Sequence, residues 1–205
     1  SHISVLKAGW TMEKRVSVST AIIALNSIVF LIVEFTGGSS DLEHMISWGA
    51  AYAPLITEEQ EYYRLISCMF LHFGMEHLVN NMLALYFVGG RLEHEVGKLR
   101  FAVIYFAGGG AGSVLSYYMD IRNGTAYVSV GASGAVFAVI GAMIYVLILN
   151  RGQLEGLAIR QMVFMAALSL YYGFASQGID NAAHVGGFLS GFVLALVLYH
   201  RKHRP

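Results

Sequence analysis

Six stretches of the chain are apolar over nearly the length a bilayer crossing needs: roughly 17–35, 77–93, 99–119, 132–149, 157–175 and 182–199. A crossing helix needs about 20 mostly apolar residues, because hydrocarbon offers no water to satisfy the backbone. That many runs exclude a water-soluble globule. The expected fold class is an all-α polytopic membrane protein with six transmembrane helices. The composition agrees, with 56% hydrophobic and 13% charged residues, roughly half the charge of an average soluble domain. The runs at 77–93 and 132–149 are short or glycine-interrupted. Such interruption is tolerated only beside protein or a water-filled cavity. The first run is too long, and too well followed by others, to be a cleaved signal peptide.

Lysine and arginine set the orientation. With the N-terminus inside, Lys7, Lys14, Arg15, Arg91, Lys98, Arg100, Arg151, Arg160, Arg201, Lys202 and Arg204 lie on the cytoplasmic side, and only Arg64 and Arg122 lie outside. The expectation is a multi-pass protein of the cell membrane with both termini cytoplasmic. Residues 1–16 form a cytoplasmic N-terminal segment, 17–199 the membrane domain and 200–205 a basic cytoplasmic tail. The chain opens on Ser1-His2 rather than Met, which reads as a trimmed start, with Met12 a candidate native one. Net charge is zero, so no nucleic-acid partner is expected. Cys68 is the single cysteine and has no intrachain partner for a disulfide. Nothing in the sequence sets an oligomeric state. The outer connection, 36–76, carries Trp48, Tyr52, Tyr62, Tyr63, Phe70 and Phe73, a composition suited to an interfacial, partly inserted segment.

Polar side chains at membrane depth are costly and mark function. Four stand out: His77 and Asn81 early in the second run, Ser133 early in the fourth and His184 early in the sixth. In the orientation above, all four lie toward the outer face. From Ser133 to the inner edge is about 25 Å of helix, and from His184 about 24 Å, at 1.5 Å per residue. Both therefore sit at one level, recessed from the outer surface. Water must reach that level for hydrolysis, which implies a cavity open to the outside. His184, Gly187 and Gly191 share a helix face, and Gly134, Ala138, Gly141 and Ala142 form a matching stripe. Small residues so spaced let two helices approach closely, which would bring Ser133 to His184. His77 and Asn81, four apart, point the same way from a third helix.

Each residue alone has a plainer reading. A serine in a membrane helix usually packs or bonds back to its own backbone, and Ser17, Ser19, Ser116, Ser169 and Ser190 are read so. The spacing of His72 and His77 is not that of a zinc-binding helix, so no metal and no cofactor are expected. The coincidence of level and facing favours a site. Ser133 is then a nucleophile and His184 its base. No acid is well placed to orient the histidine, since Asp180 reads as a loop residue one turn outward. A Ser–His dyad is expected. Free amides at the helix opening Gly131–Ser133, with the Asn81 amide and the His77 ring, could stabilise an oxyanion. The glycine before the serine permits a sharp helix entry. The stretch is not the G-x-S-x-G elbow of soluble hydrolases, because Ala135 stands where that pattern has its second glycine.

"GASGA" around Ser133, "AHVGGFLSG" from Ala183 and "HFGMEHLVNN" with His77 and Asn81 resemble the rhomboid intramembrane serine proteases, closest to the bacterial six-span type. "YYR" at 62–64 is similar to that family's Trp-Arg pair, and "GGRLEHEVG" at 89–97 to its GGxxE stretch. The resemblance spans about residues 17–199. It implies a rhomboid-like bundle with 36–76 as a membrane-embedded first loop. It implies a Ser133–His184 dyad with His77, Asn81 and the Ser133 backbone as oxyanion hole. Gly131, Gly134, Gly187, Gly191, Arg64 and Glu93 would serve structure and helix packing. Phe164, Tyr171, Tyr172 and Phe174 would flank a lateral route for substrate. The substrate would be another protein's transmembrane segment, cut near the outer (periplasmic or extracellular) face. Tyr63 stands where the family has tryptophan, and Phe137 where many bacterial members have tyrosine. Two other classes compete. A non-catalytic rhomboid-like escort would typically have lost the serine or the histidine. A transporter relay would spread ionisable groups through the bilayer.

Overall fold

The computed structural model describes residues 17–154, 156–175 and 179–200, without the side chains of residues 172, 174 and 175. The terminal segments, with Lys7, Lys14, Arg15, Arg201, Lys202 and Arg204, and the side chains of Tyr172 and Phe174 lie outside the described residues. Among the described residues, three helices are long and apolar enough to cross a membrane: α1 (Val18–Thr36), α7 (Lys98–Asn123) and α10 (Asn181–Leu198). Two shorter apolar helices are α8 (Ser133–Leu149) and α9 (Ile159–Ala175). Between α1 and α7, α5 (Gly74–Ala84) runs through a π-helical segment (Leu85–Gly89) into α6 (Gly90–Val96). The backbone stays helical at both junctions, so 74–96 is one rod with a local bulge. Gly97, at φ 89°, ends that rod and turns the chain directly into α7. Only a residue without Cβ adopts that conformation freely.

The long helices carry apolar residues on every face, and burial tells those faces apart. On α1, Ser19, Ile22, Asn26, Phe30 and Val33 form the buried stripe, while Leu25, Ile28, Leu31, Ile32 and Phe35 are exposed. Exposed apolar faces recur on α9 (Val163, Phe164, Met165, Leu168) and α10 (Leu189, Val193, Leu196, Val197). Only lipid covers such faces without cost.

Helix α8 is the axis of the bundle, buried from Gly134 to Ile144 and again at Val146 and Leu147. Its neighbours α7 and α10 approach it through residues with little or no side chain. A Cβ on Gly187 would run into the Gly134 carbonyl oxygen, and one on Gly191 into that of Ala138. Gly141 meets the Phe188 carbonyl in the same way, and Gly108 of α7 meets the Ala138 methyl. The stripes expected on α8 and α10 do face each other. Packing rather than a hydrophobic driving force holds such helices in lipid, so close backbone approach is the main source of adhesion.

The connection at 36–76 is more structured than its composition suggests. It holds three short helices, α2 (Leu42–Ser47), α3 (Ala53–Glu58) and α4 (Arg64–Ser67), and a two-residue strand, β1 (Ala51–Tyr52). Strand β1 pairs antiparallel with β2 (Val128–Ser129), Ala51 opposite Ser129 and Tyr52 opposite Val128. Arg64 is 4% exposed and braces the connection. It donates to the Ile46 and Ala50 carbonyls at 2.6 and 3.0 Å and pairs with Glu61 at 2.5 Å. A second hairpin, β3 (Gln153–Leu154) and β4 (Leu157–Ala158), links α8 to α9.

Glu93 clamps the opposite end of the bundle. Its carboxylate accepts from the Val18 and Ser19 amides at 2.8 Å each, while Ser17 caps the same helix by accepting from Thr20 N–H. The carboxylate satisfies orphan amides and complements the positive end of α1. Removing it strands two donors, one buried and one partly buried. Glu93→Ala is expected to lower stability by about 2 kcal/mol, read as a fall in the thermal midpoint in detergent. An unchanged midpoint would show that α1 is held by packing alone.

Candidate active site

Strand β2 delivers the chain to the start of α8 under tight control. The Gly131 amide donates to the Cys68 carbonyl at 2.9 Å, and the Ala132 amide to His72 Nε2 at 3.3 Å. Burial and the neighbouring His77 keep His72 far less basic than a free imidazole, and the neutral ring has one acceptor nitrogen, which the Ala132 amide engages at Nε2. These bonds correct one expectation. The Gly131 and Ala132 amides are engaged, and the amides without a helical carbonyl in reach begin at Ser133. Ser133 is the first residue of α8 and is half-buried.

Gly131 has a φ of 131°, which side chains rarely adopt. A Cβ there would lie 2.7 Å from His77 Cε1, 2.9 Å from His77 Nε2 and 3.6 Å from Ser133 Oγ. The missing methyl is therefore the space that the His77 ring occupies beside the serine. His72 meets His77 edge-on, with ring centroids 5.1 Å apart. Asn81 is 6% exposed and donates one amide hydrogen to the His77 carbonyl at 2.8 Å. A side-chain amide has two N–H bonds, so one remains for another acceptor.

His184 comes from the first turn of α10. Its ring stacks on Phe137 at 4.3 Å and 14°. His184 is 8% exposed, and its Nδ1 meets no hydrogen-bond partner. Asp180 does not reach it, because that carboxylate is occupied. It caps α10 by accepting from the Ala183 amide at 2.9 Å, and it accepts from Ser129 Oγ at 2.6 Å and Ser116 Oγ at 2.5 Å. The two helix starts touch, since a Cβ on Gly134 would lie 3.4 Å from the Ala183 carbonyl oxygen. The structure thus gathers the N-terminal ends of α5, α8 and α10 at one place.

Two roles were not legible in the sequence. Ser116, read as a packing residue, instead bonds Asp180. Ser129 lies in a strand too short to show any alternation. The signal that was available is Asp180 itself, an aspartate three residues before a free helix amide, which is the pattern of an N-cap.

The family model described as the Rhomboid domain matches residues 59–201. The chain belongs to the rhomboid family. It is a multi-pass membrane protein built of apolar helices. It is 38% identical to "Rhomboid protease GluP" of Bacillus subtilis over 176 residues, 86% of this chain and 34% of the relative. It is 43% identical to "RHOMBOID-like protein 5" of Arabidopsis thaliana over 148 residues, 71% of this chain and 47% of that one. "Putative rhomboid protease YdcA" of B. subtilis is 29% identical over 197 residues, 95% of this chain and 94% of the relative. The chain spans between a third and a half of the length of the first two relatives.

Proposed function

We propose that this rhomboid is an intramembrane serine endopeptidase that cuts transmembrane segments of other proteins near the outer face of the membrane. Two of the relatives carry the word protease in their names, which supports the reaction class. The observation that carries the reading is the convergence at the start of α8: Gly131 has no side chain, so the His77 ring lies beside Ser133 Oγ.

The chemistry follows from the groups present. Ser133 Oγ attacks the scissile carbonyl carbon as His184 takes its proton. The oxygen of that carbonyl gains charge and is held by the Ser133 amide, the second Asn81 N–H and the His77 ring. The intermediate collapses as His184 returns the proton to the leaving amine. Water then hydrolyses the acyl-enzyme with His184 again as base. Stacking on Phe137 supplies for the imidazole the orientation that an acid gives in a triad. In this reading six helices span the bilayer, counting the 74–96 rod with α1, α7, α8, α9 and α10. Both termini face the cytoplasm, residues 36–76 lie in the outer interface and 17–199 form the protease domain. The exposed Phe164 and Tyr171 of α9 flank the lateral entry. Arg64 and Glu93 brace the two ends.

A fluorophosphonate probe tests the proposal against a non-catalytic escort. The wild-type protein is expected to label at Ser133, and His184→Ala to label at least about a hundredfold more slowly, the usual weight of a general base. Wild-type labelling no faster than that of Ser133→Ala would overturn it in favour of a binding protein.

A further inference from the structure

We propose that Asp180 is a positioning residue for this reaction: its carboxylate ties the strand that delivers Ser133 to the helix that carries His184. The inference rests on the hydrolase reading above. One carboxylate oxygen, Oδ1, caps α10 through the Ala183 amide, and the other, Oδ2, accepts from both Ser129 and Ser116. Ser129 stands four residues before Ser133, and Asp180 four residues before His184. On α10 that interval is one helical turn, closed by the His184 amide on the Asp180 carbonyl at 3.2 Å. The tie therefore lies four residues along the chain from each of the two reacting residues.

A cap alone does not call for this residue. Serine or asparagine caps a helix as well as aspartate does. Aspartate adds a second anionic oxygen, which here gathers hydroxyls from α7 and β2 at distances typical of charge-assisted bonds. The other anchors of the nucleophile loop run elsewhere. The Gly131 amide, the Ala132 amide and the β1–β2 pair all bond to the connection at 36–76. The Ser129–Asp180 bond runs instead to the helix of the histidine.

The contact between α8 and α10 gives such a tie something to do. Gly187 and Gly191 lie on the backbone of Gly134 and Ala138. Along that seam of small residues no side chains interlock, so the axial register rests on the flanking Phe137–His184 and Tyr145–Phe192 ring contacts and on ties such as this one at the helix ends. A slide of 1 Å between nucleophile and base can cost on the order of a hundredfold in rate. The carboxylate opposes that slide at the end of the helices where the reaction occurs.

The test is steady-state cleavage of a membrane-anchored substrate, with the thermal midpoint measured alongside. Ser129→Ala is expected to lower kcat by about tenfold or more while KM stays within about twofold, the pattern of lost orientation rather than lost binding. Ser129→Thr keeps the hydroxyl and is expected to restore kcat. Asp180→Asn should act in the same direction, and adding Ser129→Ala to it should cost little more, because the two share one interaction. Wild-type kcat in Ser129→Ala, full additivity in the double variant, or a fall in the midpoint with kcat intact would each overturn the positioning role while leaving the hydrolase reading standing. A wild-type protein that neither cleaves nor labels at Ser133 would overturn both.

Discussion

Ser133→Ala is expected to lower cleavage of a membrane-anchored substrate by more than about a thousandfold, as loss of a serine nucleophile does elsewhere. The fold should not notice. Ser133 is the first residue of α8 and half-buried, and alanine suits a helix. Its backbone amide is unchanged, as are the His77 ring and the Asn81 amide. The variant should therefore still bind substrate, with a wild-type thermal midpoint. Cleavage at the wild-type rate would place the nucleophile elsewhere and remove the basis of the mechanism.

Gly187→Val is expected to fail in the opposite manner, by loss of structure. A Cβ at Gly187 meets the Gly134 carbonyl oxygen directly and lies 2.9 Å from its carbon and 3.3 Å from the Gly134 Cα. These are backbone atoms of the buried axial helix, so no rotamer change relieves the clash and α10 must move away. Overpacking of this kind costs about 3 kcal/mol, which corresponds to roughly 6–12 °C in the midpoint of a chain this size. Gly187 is one turn below His184, and Gly134 follows Ser133, so the same displacement opens the site. Fluorophosphonate labelling and thermal midpoint should fall together, whereas Ser133→Ala abolishes labelling alone. An unchanged midpoint in Gly187→Val would mean that α8 and α10 are not held by this contact.

Much of the architecture was legible because lipid imposes a severe filter on sequence. The helix expected at 182–199 is Asn181–Leu198, and that expected at 132–149 is Ser133–Leu149. The run at 77–93 lies within the continuous rod 74–96, whose π-helical bulge ends at Gly89. The glycine faces of α8 and α10 were legible for the same reason, since helical spacing alone puts His184, Gly187 and Gly191 on one side. The reading of 36–76 as an interfacial segment did not reveal its short helices. Its strand is two residues long and pairs with one more than seventy positions away, and no periodicity can emerge from two residues.

What the sequence determined by itself was the set of apolar helices, their facing stripes and the four polar residues worth asking about. These properties follow from local spacing, and the bilayer allows few ways to satisfy a backbone. What only the tertiary structure decided was how each donor and acceptor is spent. The Gly131 and Ala132 amides go to Cys68 and His72, Asn81 gives one hydrogen to its own helix, and Asp180 turns away from His184 toward Ser116 and Ser129. A hydrogen bond is fixed by distances of a few ångströms between atoms far apart in the chain, and residue order carries no record of such distances.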